Sequence, residues 1–530
     1  MKVTGLTTLS LLISACCFAQ SATKVPYLED EKWWGAATEL GPSMPFSPSD
    51  AVIDQRISNY NNQTSPLLLS NRGRYIWADS PMKISFDSTG VNIETSAGQP
   101  VLGSAPEASL RGAYGEACRL FFPPDNVLPP SEFFTAPIYN TWIELMYNQN
   151  QADILQYARD IIDHGFPPGV LMIDDNWQKD YGVFEFRPDR FPSPKEMVDS
   201  LHDMGFKVML WVCPFVSPDC KEARDLNALN YLVKARGSNE MAILQWWNGY
   251  SACYDLSNPD ARRHLKDKLT GLQERYGIDG FKFDAGDPER YTAEMVEVYD
   301  KKSYDTSQTK LWAQLAKEFP YNELRACWQM GNQALVQRLG DKRYSWDGVS
   351  RLVPCMISAA LLGHSYACPD MIGGGEYTSF LNVDAGSFDP SLIIRSCQIH
   401  SAMPMMQFSV APWRILSQHD LDICRSYALL HCSLSDYILE MAAKTASDGT
   451  PIVRHMAYSF PDEGFEDIKD QYMLGDKWLI APITSAGNSR TVRLPRGRWR
   501  DDLGKVYKGG RTYTLSDVSL ERLPRFERIK

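Results

Sequence analysis

The chain has 530 residues, 44% of them hydrophobic and 22% charged, which excludes wholesale disorder and is too long for one ordinary domain. Its net charge of −11, from 54 basic and 65 acidic residues, disfavours a non-specific nucleic-acid binder. Fourteen Trp and 25 Tyr fit either a large core or a cleft for sugars.

Met1-Lys2 is followed by an uncharged apolar run from Val3 to Phe18 and then by small residues. Residues 1–20 read as a secretory signal peptide. Cleavage before Ser21 is expected. The alternative is a lipoprotein box at Ile13-Ser14-Ala15-Cys16, with lipid on Cys16. Either route exports the protein to the periplasm or cell surface. No later segment has the uncharged apolar length of a membrane span. Outside the leader the cysteines form no CxxC pair, so buried free thiols are expected, and no HExxH zinc motif occurs.

Residues 21–135 show short apolar runs (Ile84-Ser85-Phe86, Gly90–Glu94, Pro100–Leu102) punctuated by Gly and Pro, the pattern of a β-sandwich. Over 136–445 apolar runs alternate with amphipathic stretches. Strands are expected at Thr141–Tyr147, Val170–Asp174, Lys207–Val212, Gly280–Asp284, Leu324–Trp328, Ser345–Asp347, Tyr366–Cys368 and Met405–Phe408. Helices are expected at Gln151–His164, Ser193–Met204 and Pro259–Tyr276. About eight βα repeats in this length suit a (β/α)8 TIM barrel, and no glycine-rich phosphate fingerprint favours a doubly wound sheet. Residues 446–530 return to strands (Trp478–Ala481, Thr491–Leu494, Thr512–Leu515), a small all-β domain. The fold class is α/β, a barrel flanked by two β modules.

Barrel enzymes draw catalytic groups from the C-terminal ends of strands. Four of the expected strands end in Asp: Asp174-Asp175, Asp284, Asp347 and Asp370. Asp is disfavoured inside strands, and a buried unpaired carboxylate is costly. A helix N-cap explains any one of them but poorly explains four together. Converging carboxylates serve either a hard metal ion or glycoside hydrolysis, which pairs a nucleophile with a proton donor. Only 8 His, in no ligand-like spacing, favour the second and call for no metal or cofactor. Trp near strand ends (Trp177, Trp211, Trp328, Trp346, Trp413) offers faces for a sugar, or packs the barrel.

Gly277–Asp287, with Phe281-Lys282-Phe283-Asp284 at its centre, resembles the nucleophile strand of glycoside hydrolase family 31. Leu171–Trp177 with Phe184–Pro192, Leu362–Gly374, Met473–Ile483 and Leu494–Trp499 resemble four further elements of that family, in order. The variants look most like a branch that the resemblance associates with α-galactosidase activity, with α-glucosidases close by. The resemblance implies Asp284 as nucleophile and Asp347 as acid/base, the alternative for the latter being Asp341. It implies sugar binding by Asp174, Lys282, Arg338 and Asp370. Asp175, Trp211, Trp346, Gln407 and Trp413 complete the expected site. Gln407-Phe408-Ser409 stands where many members keep a His, so their sugar specificity does not transfer. The expected function is a retaining, exo-acting α-glycosidase that takes an oligosaccharide or glycoside, α-galactoside before α-glucoside. An α-xylosidase, a sulfoquinovosidase, an α-transglycosylase or an inactive carbohydrate-binding protein are the alternatives. Neither nucleic acid nor a membrane span is expected.

Overall fold

The computed structural model describes residues 21–292, 294–303, 305–381 and 387–529. The leader over 1–20, with Cys16, lies outside them.

The N-terminal region builds two antiparallel sheets. One joins 21–26, 90–95, 82–87 and 53–54; the other joins 33–37, 63–70, 74–77 and 101–104. Alternation along Met82–Asp87, buried at every second residue, is the signature of a sheet with one face on a core. The strands end at Ser104, and a helix (Leu110–Phe121) capped by Ser109 follows, so the β part is shorter than 21–135.

Eight parallel strands follow: β1 (Ile138–Asn140), β2 (Val170–Ile173), β3 (Lys207–Val212), β4 (Gly280–Phe283), β5 (Tyr321–Leu324), β6 (Gln337–Arg338), β7 (Ala367–Cys368) and β8 (Gln407–Phe408). They pair in sequence order, and β8 pairs back onto β1. The remaining seam is bridged where Ile372 N donates to Gln407 O at 2.9 Å. Strands β2 and β4 are buried at every residue, as expected of a parallel sheet covered on both faces. The helix Pro259–Tyr276 starts on the Asn258 cap with Pro at its first position and stops at Gly277 in a left-handed conformation.

Gly280 opens β4 for a steric reason. A Cβ there would lie 1.8 Å from the Tyr321 carbonyl oxygen of β5. Gly280→Ala therefore must part β4 from β5, and we expect a loss of about 3 kcal/mol or more, read as a lowered denaturant midpoint. A midpoint within error of the wild type would contradict this packing.

Three expected strands moved. Thr141–Tyr147 is not a strand, because Asn140 Oδ1 accepts from Trp142 N at 2.9 Å and turns the chain into a short helix, Trp142–Leu145. β5 runs from 321 to 324, not 324 to 328; Cys327–Trp328 pairs instead with Gln63-Thr64 of the N-terminal sheet. Ser345–Asp347 is a helix start: Ser345 Oγ caps the helix Trp346–Leu361, and Asp347 sits in its first turn, where a carboxylate suits the positive end of the helix dipole. The sixth strand lies earlier, at Gln337–Arg338.

The C-terminal region, after the long helix Gln418–Asp448, is β apart from one short helix, Met456–Ser459: a six-stranded antiparallel sheet and a two-stranded ribbon, 490–494 with 511–515. Among the described residues ten cysteines are free, eight of them buried. No helix among the described residues is long and apolar enough to cross a membrane.

Candidate active site

A cavity of about 680 Å³ opens over the C-terminal ends of β2 to β6. Asp174, Asp175, Trp211, Lys282, Asp284 and Arg338 line it, as expected from the sequence.

Asp284 follows the last residue of β4, and its N donates to Val212 O at 2.9 Å, which fixes its position against β3. The next two residues adopt left-handed conformations (Ala285 φ 58°, Gly286 φ 81°), turning the chain away so the carboxylate faces the cavity. Its oxygens accept from Trp211 Nε1 at 2.9 Å, Arg325 Nε at 2.9 Å and Ala285 N at 2.7 Å. Burial alone would raise its pKa, but the charges of Arg325, Lys282 and Arg338 and the Trp211 bond hold it well below the usual carboxylate range. It is therefore an anion at any physiological pH.

Lys282 points to the same side of β4 as Asp284, two residues on. Its Nζ bonds Asp174 at 2.6 Å and lies 3.9 Å from Asp284. Burial opposes its charge, yet the Asp174 carboxylate keeps its pKa raised. Lys282 thus fixes Asp174 first and supports Asp284 second.

Asp175 is gripped on its other side. Tyr181 Oη donates to it at 3.1 Å and Asn248 Nδ2 at 2.6 Å. Burial and the adjacent Asp174 charge push its pKa up to about 7. A carboxyl whose folded-state pKa is raised costs little stability near or below pH 4; the cost grows as pH rises from about 4 to about 7 and is fully present above that. We expect Asp175→Asn to stabilise the protein by about 1–3 kcal/mol at pH 8 and by nothing measurable at pH 4. Denaturant titrations at the two pH values check this, and equal effects at both would refute it.

Five expected site residues do not line the cavity. Asp347 is exposed on its helix and does not line the cavity. Trp346 packs against the core edge, its Nε1 donating to Asp389 at 3.2 Å. Trp413 stacks on His164 with ring centres 5.2 Å apart, outside the barrel mouth. Gln407 is fully buried under the site and donates to Glu323 at 2.8 Å. Asp370 is also sealed from the cavity, but it serves it indirectly. It accepts from Arg338 Nη1 at 3.2 Å and Lys342 N at 2.6 Å. Burial, then the nearby Asp341 charge, pushes its pKa up to about 7.

The carboxyl that does reach the cavity from this side is Asp341, three residues beyond β6. It accepts from Arg338 Nη1 at 2.6 Å, and its side chain keeps 38% exposure. The true end of β6 at Arg338 puts Asp341, not Asp347, in the loop above the barrel.

Several lining residues carried no clear sequence signal. Arg325 stands one residue beyond β5, grips Asp284 and donates to both oxygens of Asp287. Reading 324–328 as strand hid it as an interior residue. The N-terminal region also reaches in: Asn61 O accepts from Arg325 at 2.7 Å, Asn59 Nδ2 donates to Asp287 at 2.9 Å, and Glu39 bonds Lys342 at 2.6 Å. Trp247 arrives on the hairpin 244–253, with the Arg325 guanidinium 5.3 Å from its ring centre. Trp142, Tyr147 and Tyr377 form an edge-to-face cluster on the opposite wall.

Two family models match the chain: the glycosyl hydrolases family 31 TIM-barrel domain over residues 137–441 and the family 31 C-terminal domain over 449–529. Mouse (Mus musculus) myogenesis-regulating glycosidase is 32% identical over 76% of the chain and 58% of its own length. Alpha-xylosidase XylQ of Lactiplantibacillus pentosus is 28% identical over 84% of the chain and 60% of its own length. The chain thus spans about three fifths of the length of these curated relatives. Among solved structures, a Flavobacterium johnsoniae GH31 dextranase complexed with glucose superposes with TM-score 0.82 at 18% identity, over 96% of this chain and 66% of that one. A GH31 alpha-xylosidase from a soil metagenome, complexed with xylose, gives 0.82 at 20% identity, over 96% and 79%. The barrel, its flanking β regions and the matched residues agree: the chain belongs to glycoside hydrolase family 31.

Proposed function

We propose that the protein is a retaining, exo-acting α-glycosidase in which Asp284 is the nucleophile and Asp341 the acid/base. The observation that carries this reading is one cavity holding a carboxylate kept ionised by Arg325, Lys282 and Trp211, and a second, partly exposed carboxyl on the facing loop.

A glycosidic oxygen leaves poorly unless it is protonated as the bond breaks. The Asp341 carboxyl gives that proton to the leaving oxygen. Asp284 attacks the anomeric carbon as the C–O bond breaks, forming a covalent glycosyl-enzyme and a free alcohol. Asp341, now a carboxylate, takes a proton from water, whose oxygen displaces Asp284. Two inversions restore the α configuration. Asp174, fixed by Lys282, and Arg338, fixed by Asp370, are positioned to bind sugar hydroxyls. An α-galactoside is the favoured substrate and an α-glucoside the second. Relatives include α-xylosidases and α-glucosidases, so the sugar is decided by experiment. Export of the mature chain, read from the apolar run Val3–Phe18, is part of the proposal.

A panel of 4-nitrophenyl α-galactoside, α-glucoside, α-xyloside and α-sulfoquinovoside tests it. Release of nitrophenol from the galactoside, with α-galactose as first product by NMR, is expected. Sugar binding without release from any of the four would instead identify a carbohydrate-binding protein.

A further inference from the structure

Among the described residues, one cation lining the cavity has no counter-charge. Lys282 is paired with Asp174, Arg325 with Asp284 and Asp287, and Arg338 with Asp341 and Asp370; Arg351 lies 3.7 Å from Glu39. Arg290 also lines the cavity, yet no carboxylate among the described residues comes within ion-pairing reach of it. Its one hydrogen bond runs from Nη1 to the Gln245 carbonyl, at a long 3.5 Å. Its Nε is buried and has no acceptor among the described residues. The neighbouring Glu289 turns the other way and accepts from Ser58 and Asn59 of the N-terminal region. The Nη1 end is exposed at the cavity with only that long bond, so the guanidinium is open to an acceptor that arrives with the ligand.

The surroundings specify what that ligand is. Gln245 and Trp247 belong to one hairpin, and Trp247 lines the same cavity with 46% of its surface exposed. An exposed indole face takes the apolar face of a pyranose, while a guanidinium fork matches a planar carboxylate in two parallel bonds. Trp247 is exposed and Arg290 half-buried, whereas Asp174 and Lys282 are buried at the deep end of the same cavity. We propose that Arg290 and Trp247 form the leaving-group subsite and that it selects a uronic acid, the carboxylate bonded to Arg290. This rests on the glycosidase reading above.

The test uses the full chain and two disaccharides that differ in one group: the hexose chosen by the aryl panel, α-linked either to glucose or to glucuronic acid. At low salt the wild type is expected to show kcat/KM about tenfold or more higher on the acidic disaccharide. In Arg290→Gln that preference should collapse, the acidic substrate losing far more than the neutral one. Arg290→Lys, which keeps the charge but not the fork, should retain part of it. Equal kcat/KM for both disaccharides in the wild type, or equal losses on both in Arg290→Gln, would overturn the proposal. If no glycoside of any kind is turned over, the hydrolase reading fails on its own. Calorimetry with free glucuronate and glucose then still decides the subsite: a larger loss of glucuronate than of glucose affinity in Arg290→Gln supports it, and equal losses refute it.

Discussion

Asp284→Asn is expected to lower kcat on every aryl α-glycoside by about 10⁴-fold or more while leaving a folded protein. The amide keeps the shape of the carboxylate and an oxygen for the Trp211 N–H at 2.9 Å, but it cannot form the glycosyl ester. A smaller side chain sharpens the test. In Asp284→Ala, added azide has room to attack from the vacated side, and the product should be the β-glycosyl azide, of inverted configuration. Retention of most activity in either variant would remove Asp284 from the chemistry.

Asp341→Ala is expected to cost about 10²–10⁴-fold on disaccharides, whose alkoxide must be protonated to leave, and much less on nitrophenyl glycosides, whose phenolate leaves unaided. Asp347→Ala should leave both rates near wild type, because that side chain is exposed on the first turn of its helix, outside the cavity. Its cost is confined to the helix dipole, about 0.3–1 kcal/mol of stability. Equal loss on both substrate types at Asp341 would refute its role as proton donor. A loss at Asp347 with none at Asp341 would return the role to Asp347.

The contrast between these two aspartates shows what the sequence made legible. Strands with long apolar runs were readable almost to the residue: Lys207–Val212 appears as expected, and Val170–Asp174 and Gly280–Asp284 each overran by one residue, the aspartate that leaves the strand. The carboxylates at those ends were therefore found. Strands of two residues leave almost no pattern. β6 is only Gln337–Arg338, with one polar and one charged side chain, both buried. Trp346 beside Asp347 mimicked a strand end better than the true one did, whereas in the fold Ser345 caps a helix that starts there. Arg325 was lost for the related reason that the chain after β5 pairs with the N-terminal sheet, and local periodicity carries no trace of a partner 264 residues away. The role of the N-terminal loop was equally invisible, since it depends on Asn59 and Asn61 meeting Asp287 and Arg325 only in the folded chain.

That meeting limits how this molecule can be taken apart. Gln63-Thr64 is zipped to Cys327-Trp328, and the carbonyl of Asn61 and the amide of Asn59 brace the arginine and aspartate that flank the nucleophile. A gene trimmed to begin at Ala136 would encode every barrel strand yet surrender the clasp on its own reactive carboxylate. Grafting this cylinder behind a foreign amino-terminal module carries the same penalty unless the clasp travels with it, so the unit of inheritance here is the pair, not the barrel.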